Sequence, residues 1–522
     1  MPPEKFIQRS ILYLLLISAV VRALIAGFFE LGNDEVYYWT YAVYPDLSYF
    51  DHPPMVGWLI RFFTFNLHFQ QEFFIRLAAI LAGTLNTGLL YLIGKKLRDP
   101  LTGWYAALLY TASVYGFIIT GTFILPDSPQ TVFWLAALLL MLDVLPERQA
   151  GQVVGRKMLF IGILLGLGLL SKYTTAFLWL GMDLFILVYN RSWLRKWQFY
   201  LANLIMAGLF SIVIVWNLMN HFASFAFQGG RAGMSHFALN FDSFLTEAGG
   251  EILYTNPVVL ALILISLIAL FRKKIPVDPK IRLLLLSGLP LVGLFLLLSM
   301  FRSTLPHWSG PGYLTLLPLA AVYLRQRKPD PAGLFPGWLK AALSVLLCVI
   351  MLGIVQISTG FIRFNPANTL IRKKGEKDLS LEVYGWKQMG DQFGRLSERY
   401  EKSGEMPVHA PIISWRWFPA ANLEYYAART SGRYVLVSGD LDAAHNYARV
   451  NRIHGGFRLN SDAWYITSSR DFRDPLLLRP LYFQQILAPD TIRIDRCGKT
   501  AFYFFVYRMK DLQSKPGEET IK

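Results

Sequence analysis

Apolar runs close to the ~20 residues needed to cross a hydrocarbon core recur along the first 360 positions, and no other feature restricts the fold as strongly. In lipid, backbone N–H and C=O groups must be satisfied within their own segment, so each run predicts a helix. Read against Gly, Pro and charge, the runs fall at about 11–29, 74–93, 101–120, 130–145, 158–171, 174–189, 199–218, 256–271, 283–300, 311–324 and 338–360. About eleven spans are expected, with the pair between 158 and 189 readable as one broken helix or two. Composition agrees. Of 522 residues 54% are hydrophobic and 16% charged, where a soluble domain has about 25% charged. The opening MPPEKFIQRS with its apolar run has the outline of a signal peptide. It lacks a persuasive small-residue cleavage site and predicts a retained first helix.

The net charge of +16 would suggest a nucleic-acid partner in a soluble protein. Here Lys and Arg collect in short loops between spans. One set, running from Lys5 and Arg9 to Arg325, Arg327 and Lys328, holds nineteen; the opposite set holds Arg61, Lys172, Arg231 and Arg302. The positive-inside rule then predicts a cytoplasmic N-terminus in a multi-pass protein, with no nucleic acid bound. An odd number of spans puts the polar C-terminal region outside. The expected domains are therefore 1–360, membrane-spanning with a first outer loop at 30–73, and 361–522, soluble. In the latter, LSLEVYGWKQMGDQFGRLSERYEK and WFPAANLEYYAART have helical spacing, while PIISW, RYVLV, DAWYITSS and TIRIDRCGKTAFYFFVYRM read as strands. A small α/β domain follows. Cys348 lies in an apolar run and Cys497 in the polar region, so no disulfide framework is expected.

The polar clusters all fall on the outer side. Asn33-Asp34-Glu35, with Tyr37 and Tyr38, follows the first run, and Tyr49-Phe50-Asp51-His52-Pro53-Pro54 precedes an amphipathic stretch, VGWLIRFFTF, suited to the membrane surface. Leu125-Pro126-Asp127-Ser128-Pro129, Ser171-Lys172-Tyr173 and Arg302-Ser303-Thr304-Leu305-Pro306-His307-Trp308 complete the set. Each has a plain structural reading beside a functional one. Asp34 and Glu35 could cap a helix, Asp51 to Pro54 could be a turn, and Asp127 or Lys172 could only snorkel. Arg231 and His236, in the long loop 219–255, read as structural or solvated. What favours function is convergence of acids and bases on a face where basic residues are scarce.

The charges suggest a division of labour. A lipid phosphate needs cations at its headgroup, which Lys172, Arg302, His52 and His307 could supply. Attack by a hydroxyl on a sugar carbon needs a carboxylate base, for which Asp34 is the best placed, with Glu35 beside it. Tyr37, Asp51, Asp127, Tyr173 and Trp308 are candidates for substrate contact. Two or three of Asp34, Asp51, His52 and His307 could instead hold a divalent metal, though their spacing is not diagnostic. No other cofactor is expected.

In order along residues 1–330, the motifs DEVYYW, YFDHPP with Trp58, LPDSP, GLGLLSKYT and PHWSGPGY resemble those of the bacterial branch of the dolichyl-phosphate-mannose protein mannosyltransferase-like glycosyltransferases. This GT-C fold family includes the lipid A aminoarabinose transferase. The resemblance implies a polyprenyl-phosphate sugar donor, inverting transfer on the periplasmic face of the bacterial inner membrane, and a multispan fold with a periplasmic C-terminal domain. The family's first-loop Asp falls on Asp34, its acid-basic-Pro-Pro motif on Asp51 and His52, and its lysine on Lys172. The aminoarabinose transferase has Lys where this chain has His52, which bears on phosphate or metal contacts. No WWDYG-type motif occurs in the C-terminal region, against an oligosaccharyltransferase. The expected acceptor is lipid A or another envelope glycan. Transfer to protein Ser/Thr, a flippase of lipid-linked sugars and an inactive scaffold are the rivals. A flippase predicts polar residues near the bilayer midplane and paired repeats of spans; here the apolar runs hold few charges, with Asp183 in the sixth run an exception, and no repeat is evident.

Overall fold

The structure is a computed structural model and describes residues 4–147, 151–232, 238–327, 333–364, 369–478 and 481–514. It divides into two compact units, one of residues 1–27 and 45–349, the other of 28–44 and 350–522. The expected first outer loop, 30–73, is thus shared between them.

The first unit is helical throughout. After α1 (Glu4–Phe28) come α2 (Asn33–Val43), which belongs to the second unit, and α3 (Met55–Phe63). The helices α4 (Glu72–Leu97), α5 (Pro100–Ala112), α6 (Asp127–Val144), α7 (Gln152–Ser171), α8 (Ala176–Tyr189) and α9 (Trp197–Met219) follow. Then come α10 (Ala223–Ala232), α11 (Phe241–Thr255), α12 (Pro257–Phe271), α13 (Pro279–Ser299), α14 (Gly310–Arg327) and α15 (Gly337–Thr359), the last of which passes into the second unit at Ile350. Every expected span coincides with a helix. Among the described residues, six of them (α1, α4, α7, α9, α13 and α15) are by themselves long and apolar enough to cross a membrane. The pair α11 and α12 passes that test together, bent by 100°. The bend sits at Asn256, whose φ of +80° is one that Asn tolerates better than most residues. Its amide donates to the carbonyls of Ala112 and Ala342 at 3.0 and 2.9 Å, while its oxygen caps α12.

The region 158–189 is two helices. They are broken at Lys172, and a 3₁₀ turn over Tyr173–Thr175 follows. Helix α3 carries the amphipathic stretch, burying Met55, Val56 and Ile60 while Phe62 is exposed. Close helix packing here uses small residues, as it must where apolar side chains gain nothing by leaving lipid for protein. A Cβ on Gly162 of α7 would fall 2.3 Å from the carbonyl oxygen of Ala202 on α9.

The second unit is an α/β domain with α16 (Trp386–Lys402), α17 (Trp417–Leu423), α18 (Leu441–Ala444) and α19 (Tyr447–Ile453). Its sheet has strands β1 (Ile412–Ser414), β2 (Val435–Val437), β3 (Ala463–Ser468), β4 (Tyr482–Ile486), β5 (Asp490–Arg496) and β6 (Lys499–Ser514). The order is β2-β1-β3-β6-β4, with β5 also on β6; the β1 pairs are parallel and the rest antiparallel. Alternation along β3 buries Trp464 against Phe393 and Tyr400 of α16, and Tyr465 against Tyr507. Both faces of that strand are therefore covered. Four strand regions were legible in the sequence. β4 was not, because Tyr482, Gln484 and Gln485 are exposed and leave almost no apolar alternation to read.

Helix α2 is joined to this domain by hydrogen bonds. Tyr44 donates to Glu424 Oε1 at 2.5 Å, the Leu31 N–H donates to the Tyr426 hydroxyl at 2.7 Å, and Asn422 donates to Asn33 at 3.1 Å. Glu30 caps α16, accepting from the N–H of Trp386 at 2.7 Å. A carboxylate there satisfies orphan donors and meets the positive end of the helix dipole.

Candidate active site

In the first unit the chemistry gathers at the break between α7 and α8. Lys172 leaves α7 with extended backbone (φ −157°, ψ 136°), and its Nζ donates to Asp127 Oδ2 at 2.7 Å. The two side chains are 6% and 2% exposed. A buried ion pair persists only where the remaining donors and lone pairs are also met. Tyr115 meets part of that demand by donating to Asp127 Oδ1 at 2.8 Å. Its ring passes so near α14 that a Cβ on Gly310 would fall 2.2 Å from it. The glycine before Pro311 is what admits the tyrosine. The turn after Lys172 is fixed by Gln130, which donates to Thr174 and Thr175 at 2.7 and 3.2 Å, and the Tyr173 hydroxyl pairs with Ser224 at 2.8 Å.

Lys172 opens onto a cavity of about 410 Å³ with an amphipathic lining. His52, Gln228 and Arg231 join it at the polar end, and Phe177, Phe225, Leu294, Phe295, Leu298 and Trp308 supply apolar wall. Arg231 is held 5.0 Å from the rings of both Phe227 and Trp308. An ammonium has three N–H donors, and Asp127 takes one from Lys172, so a further acceptor can bind without breaking the pair. Burial lowers the pKa of His52 and of His307 to about 4, with the Lys172 charge adding to the effect on both. A histidine so shifted is neutral at ordinary pH and offers one hydrogen-bond donor and one acceptor.

Of the expected residues, the first unit brings together Asp127 and Lys172 with His52 and His307, on both of which the pair's charges act, and Tyr173 and Trp308 stand in the cavity wall. Asp51 is buried beside His52, and its backbone carbonyl accepts from Gln228. Arg302 reaches the carbonyl of Gly230 at 2.9 Å and so braces α10, while the neighbouring Arg231 lines the cavity. Sequence reasoning took Arg231 as structural or solvated. The available signal was its rarity, as one of four Lys or Arg in the loops of 1–360 opposite the Lys/Arg-rich set. His236 lies outside the described residues.

Asp34, Glu35 and Tyr37 belong to the second unit. Asp34 is exposed in the first turn of α2. Glu35 is 2% exposed and turns back to accept from the Gly32 N–H at 2.9 Å, the reciprocal half of a capping box. Tyr37 is buried, packs on Trp417 at 4.8 Å between ring centroids, and accepts from the Asn446 N–H at 3.2 Å. Capping predicts a stability effect. Glu35→Ala should cost about 1 kcal/mol, and Glu35→Gln, which keeps an acceptor, should recover it, read as the unfolding midpoint in detergent. Among the described residues no group of three or more His, Cys, Asp or Glu is placed to hold a metal ion.

Residues 51–216 match the family model "Dolichyl-phosphate-mannose-protein mannosyltransferase". The lipid A galacturonosyltransferase RgtD of Rhizobium johnstonii is 23% identical over 298 residues, 56% of this chain and 61% of its own length. The chain thus spans about three-fifths of that curated relative. Crystal structures of ArnT from Cupriavidus metallidurans, bound to undecaprenyl phosphate and in the apo state, share the fold at 15% identity, with TM-scores of 0.59 and 0.60. These cover 95% and 96% of this chain and 97% and 98% of ArnT. The chain therefore resembles this mannosyltransferase family over residues 51–216 and shares the fold of ArnT along nearly its whole length.

Proposed function

We propose that the protein is an inverting glycosyltransferase of the bacterial inner membrane. It moves one sugar from a polyprenyl-phosphate donor to lipid A or another envelope glycolipid at the periplasmic face. The observation that carries this reading is the cavity, which sets Lys172 and Arg231 beside a largely apolar wall. A polyprenyl phosphate has that same division between anionic head and hydrocarbon tail. The names of the relatives agree, since RgtD is a lipid A galacturonosyltransferase and one ArnT structure holds undecaprenyl phosphate.

In the proposed reaction Asp34 takes the proton of the acceptor hydroxyl as its oxygen attacks the anomeric carbon. The bond from that carbon to the phosphate oxygen breaks, and polyprenyl phosphate leaves with the electron pair. Lys172 and Arg231 stabilise the growing phosphate charge, while neutral His52 and His307 can each donate one N–H to its oxygens. Arg302 acts through its brace on α10. The test is purified enzyme with undecaprenyl-phosphate sugars and lipid A, read by mass spectrometry of both products. Released undecaprenyl phosphate and a lipid A species heavier by one glycosyl unit are expected. The description of the matched family favours a second reading, transfer to protein, which would instead yield glycopeptides and leave lipid A mass unchanged.

The histidines give a pH prediction. The unfolded chain protonates each below about 6.5, the folded chain only below about 4. Between those values the unfolded state binds more protons, so stability falls as pH falls, by up to about 1.4 kcal/mol per pH unit per histidine. The donor-free His52→Gln/His307→Gln variant should lose less of its unfolding midpoint than wild type between pH 6.5 and 4.

A further inference from the structure

The second unit has a cavity of its own, about 190 Å³, where α15 ends. Its walls include Arg363, Lys374, Arg496 and Lys499, set against a single acid, Asp378. That acid is already committed. It accepts from Arg496 Nη2 at 2.5 Å and from the Ser380 hydroxyl, and Arg496 Nη1 donates to Ser380 at 2.9 Å. Arg496 is 7% exposed and forms a neutralised floor. Above it, Arg363 and Lys499 are exposed and Lys374 half-buried, and among the described residues no ion pair engages these three. The floor depends on Gly360, which ends α15 with φ +62°; a Cβ there would fall 2.2 Å from the Arg496 guanidinium.

Apolar residues also line it and flank it in sequence: Ile362 and Phe364 of the lining are 47% and 44% exposed, and Phe361, Leu370 and Ile371 nearby in the chain are 50%, 71% and 59% exposed. Such exposure is costly in water and favourable at a bilayer surface, where side chains of this kind enter the acyl boundary. Phe361 lies two residues beyond the last residue of α15, a helix apolar enough to cross the membrane. A cationic well flanked by apolar residues at a span's end is complementary to a phosphate carried on acyl chains.

We propose that this cavity binds the phosphate of an anionic phospholipid in the leaflet at which α15 ends. Arg363, Lys374 and Lys499 hold the phosphate oxygens, and the Phe361, Ile362 and Phe364 side chains enter the acyl region beside it. The site is separate from the proposed donor cavity and does not rest on the glycosyltransferase reading.

The test uses the full-length protein in detergent, with bound lipid measured by native mass spectrometry. Phosphatidylglycerol, phosphatidylcholine, lipid A and inorganic phosphate are titrated in turn onto wild type and Arg363→Gln/Lys374→Gln/Lys499→Gln. A charge-matched control, Lys387→Gln/Lys402→Gln/Arg452→Gln, removes cations elsewhere on the same unit. At roughly fivefold per cation, the site variant should bind phosphatidylglycerol about a hundredfold more weakly. Its unfolding midpoint should match wild type, and the control should bind within about twofold of wild type. Equal phosphatidylglycerol binding by wild type and site variant overturns the proposal. So does a loss of the same size in the control, binding of inorganic phosphate as tight as that of the lipid, or a site effect confined to lipid A.

Discussion

Replacing Lys172 by Met is expected to lower sugar transfer by at least 10²- to 10³-fold, the usual cost of removing one preorganised group that stabilises transition-state charge. The same substitution strands Asp127, which is buried with its Oδ2 facing the vacated position. An uncompensated buried carboxylate costs about 3–5 kcal/mol, so loss of activity alone would not separate chemistry from folding. The double variant Lys172→Met/Asp127→Leu removes both charges and should recover most of the stability, because neutral replacement of a buried pair is often tolerated. It should not recover transfer. A well-folded double variant that transfers sugar at the wild-type rate would show that Lys172 does not act on the leaving phosphate.

Asp34→Asn is expected to reduce transfer by about 10²- to 10⁴-fold, the range for loss of a general base, with a smaller shift of the unfolding midpoint than Glu35→Ala. The stability half of that statement follows from position. Asp34 is exposed in the first turn of α2, whereas the neighbouring Glu35 is buried and carries the capping bond. Substitution at an exposed position of a first turn should cost less than loss of a buried capping carboxylate. The adjacent acids should therefore separate, with Asp34 moving kcat and Glu35 moving stability. Wild-type turnover by purified, correctly inserted Asp34→Asn would remove Asp34 as the base.

The site was legible in pieces. Lys172 and Asp127 are each conspicuous as ionisable residues at the ends of apolar runs, because a charge there is expensive and needs a reason. That they pair with each other, 45 positions apart, is a property of α6 and α7 lying side by side. The same is true of Tyr115, whose hydroxyl meets Asp127 only because Gly310 leaves room for its ring. Arg231 was read as solvated and Arg302 as the phosphate cation, yet it is Arg231 that lines the cavity. Nothing local distinguishes these two arginines between apolar runs. Their roles depend on which one reaches Trp308 and Phe227 and which one reaches a backbone carbonyl.

What the chain's order of residues determined alone is the set of helices. A segment in lipid must close its own backbone hydrogen bonds, so an apolar run is enough to specify one, and all eleven runs are helical. The strands with strong apolar character were readable for the related reason that side-chain alternation is local. Tertiary structure decided the rest. It assigned residues 28–44 to the C-terminal unit through Tyr44, Leu31 and Asn33, and made Glu35 a cap. It also made His52 and His307 neutral. Burial sets a protonation state, and burial is a sum over neighbours that are distant in sequence.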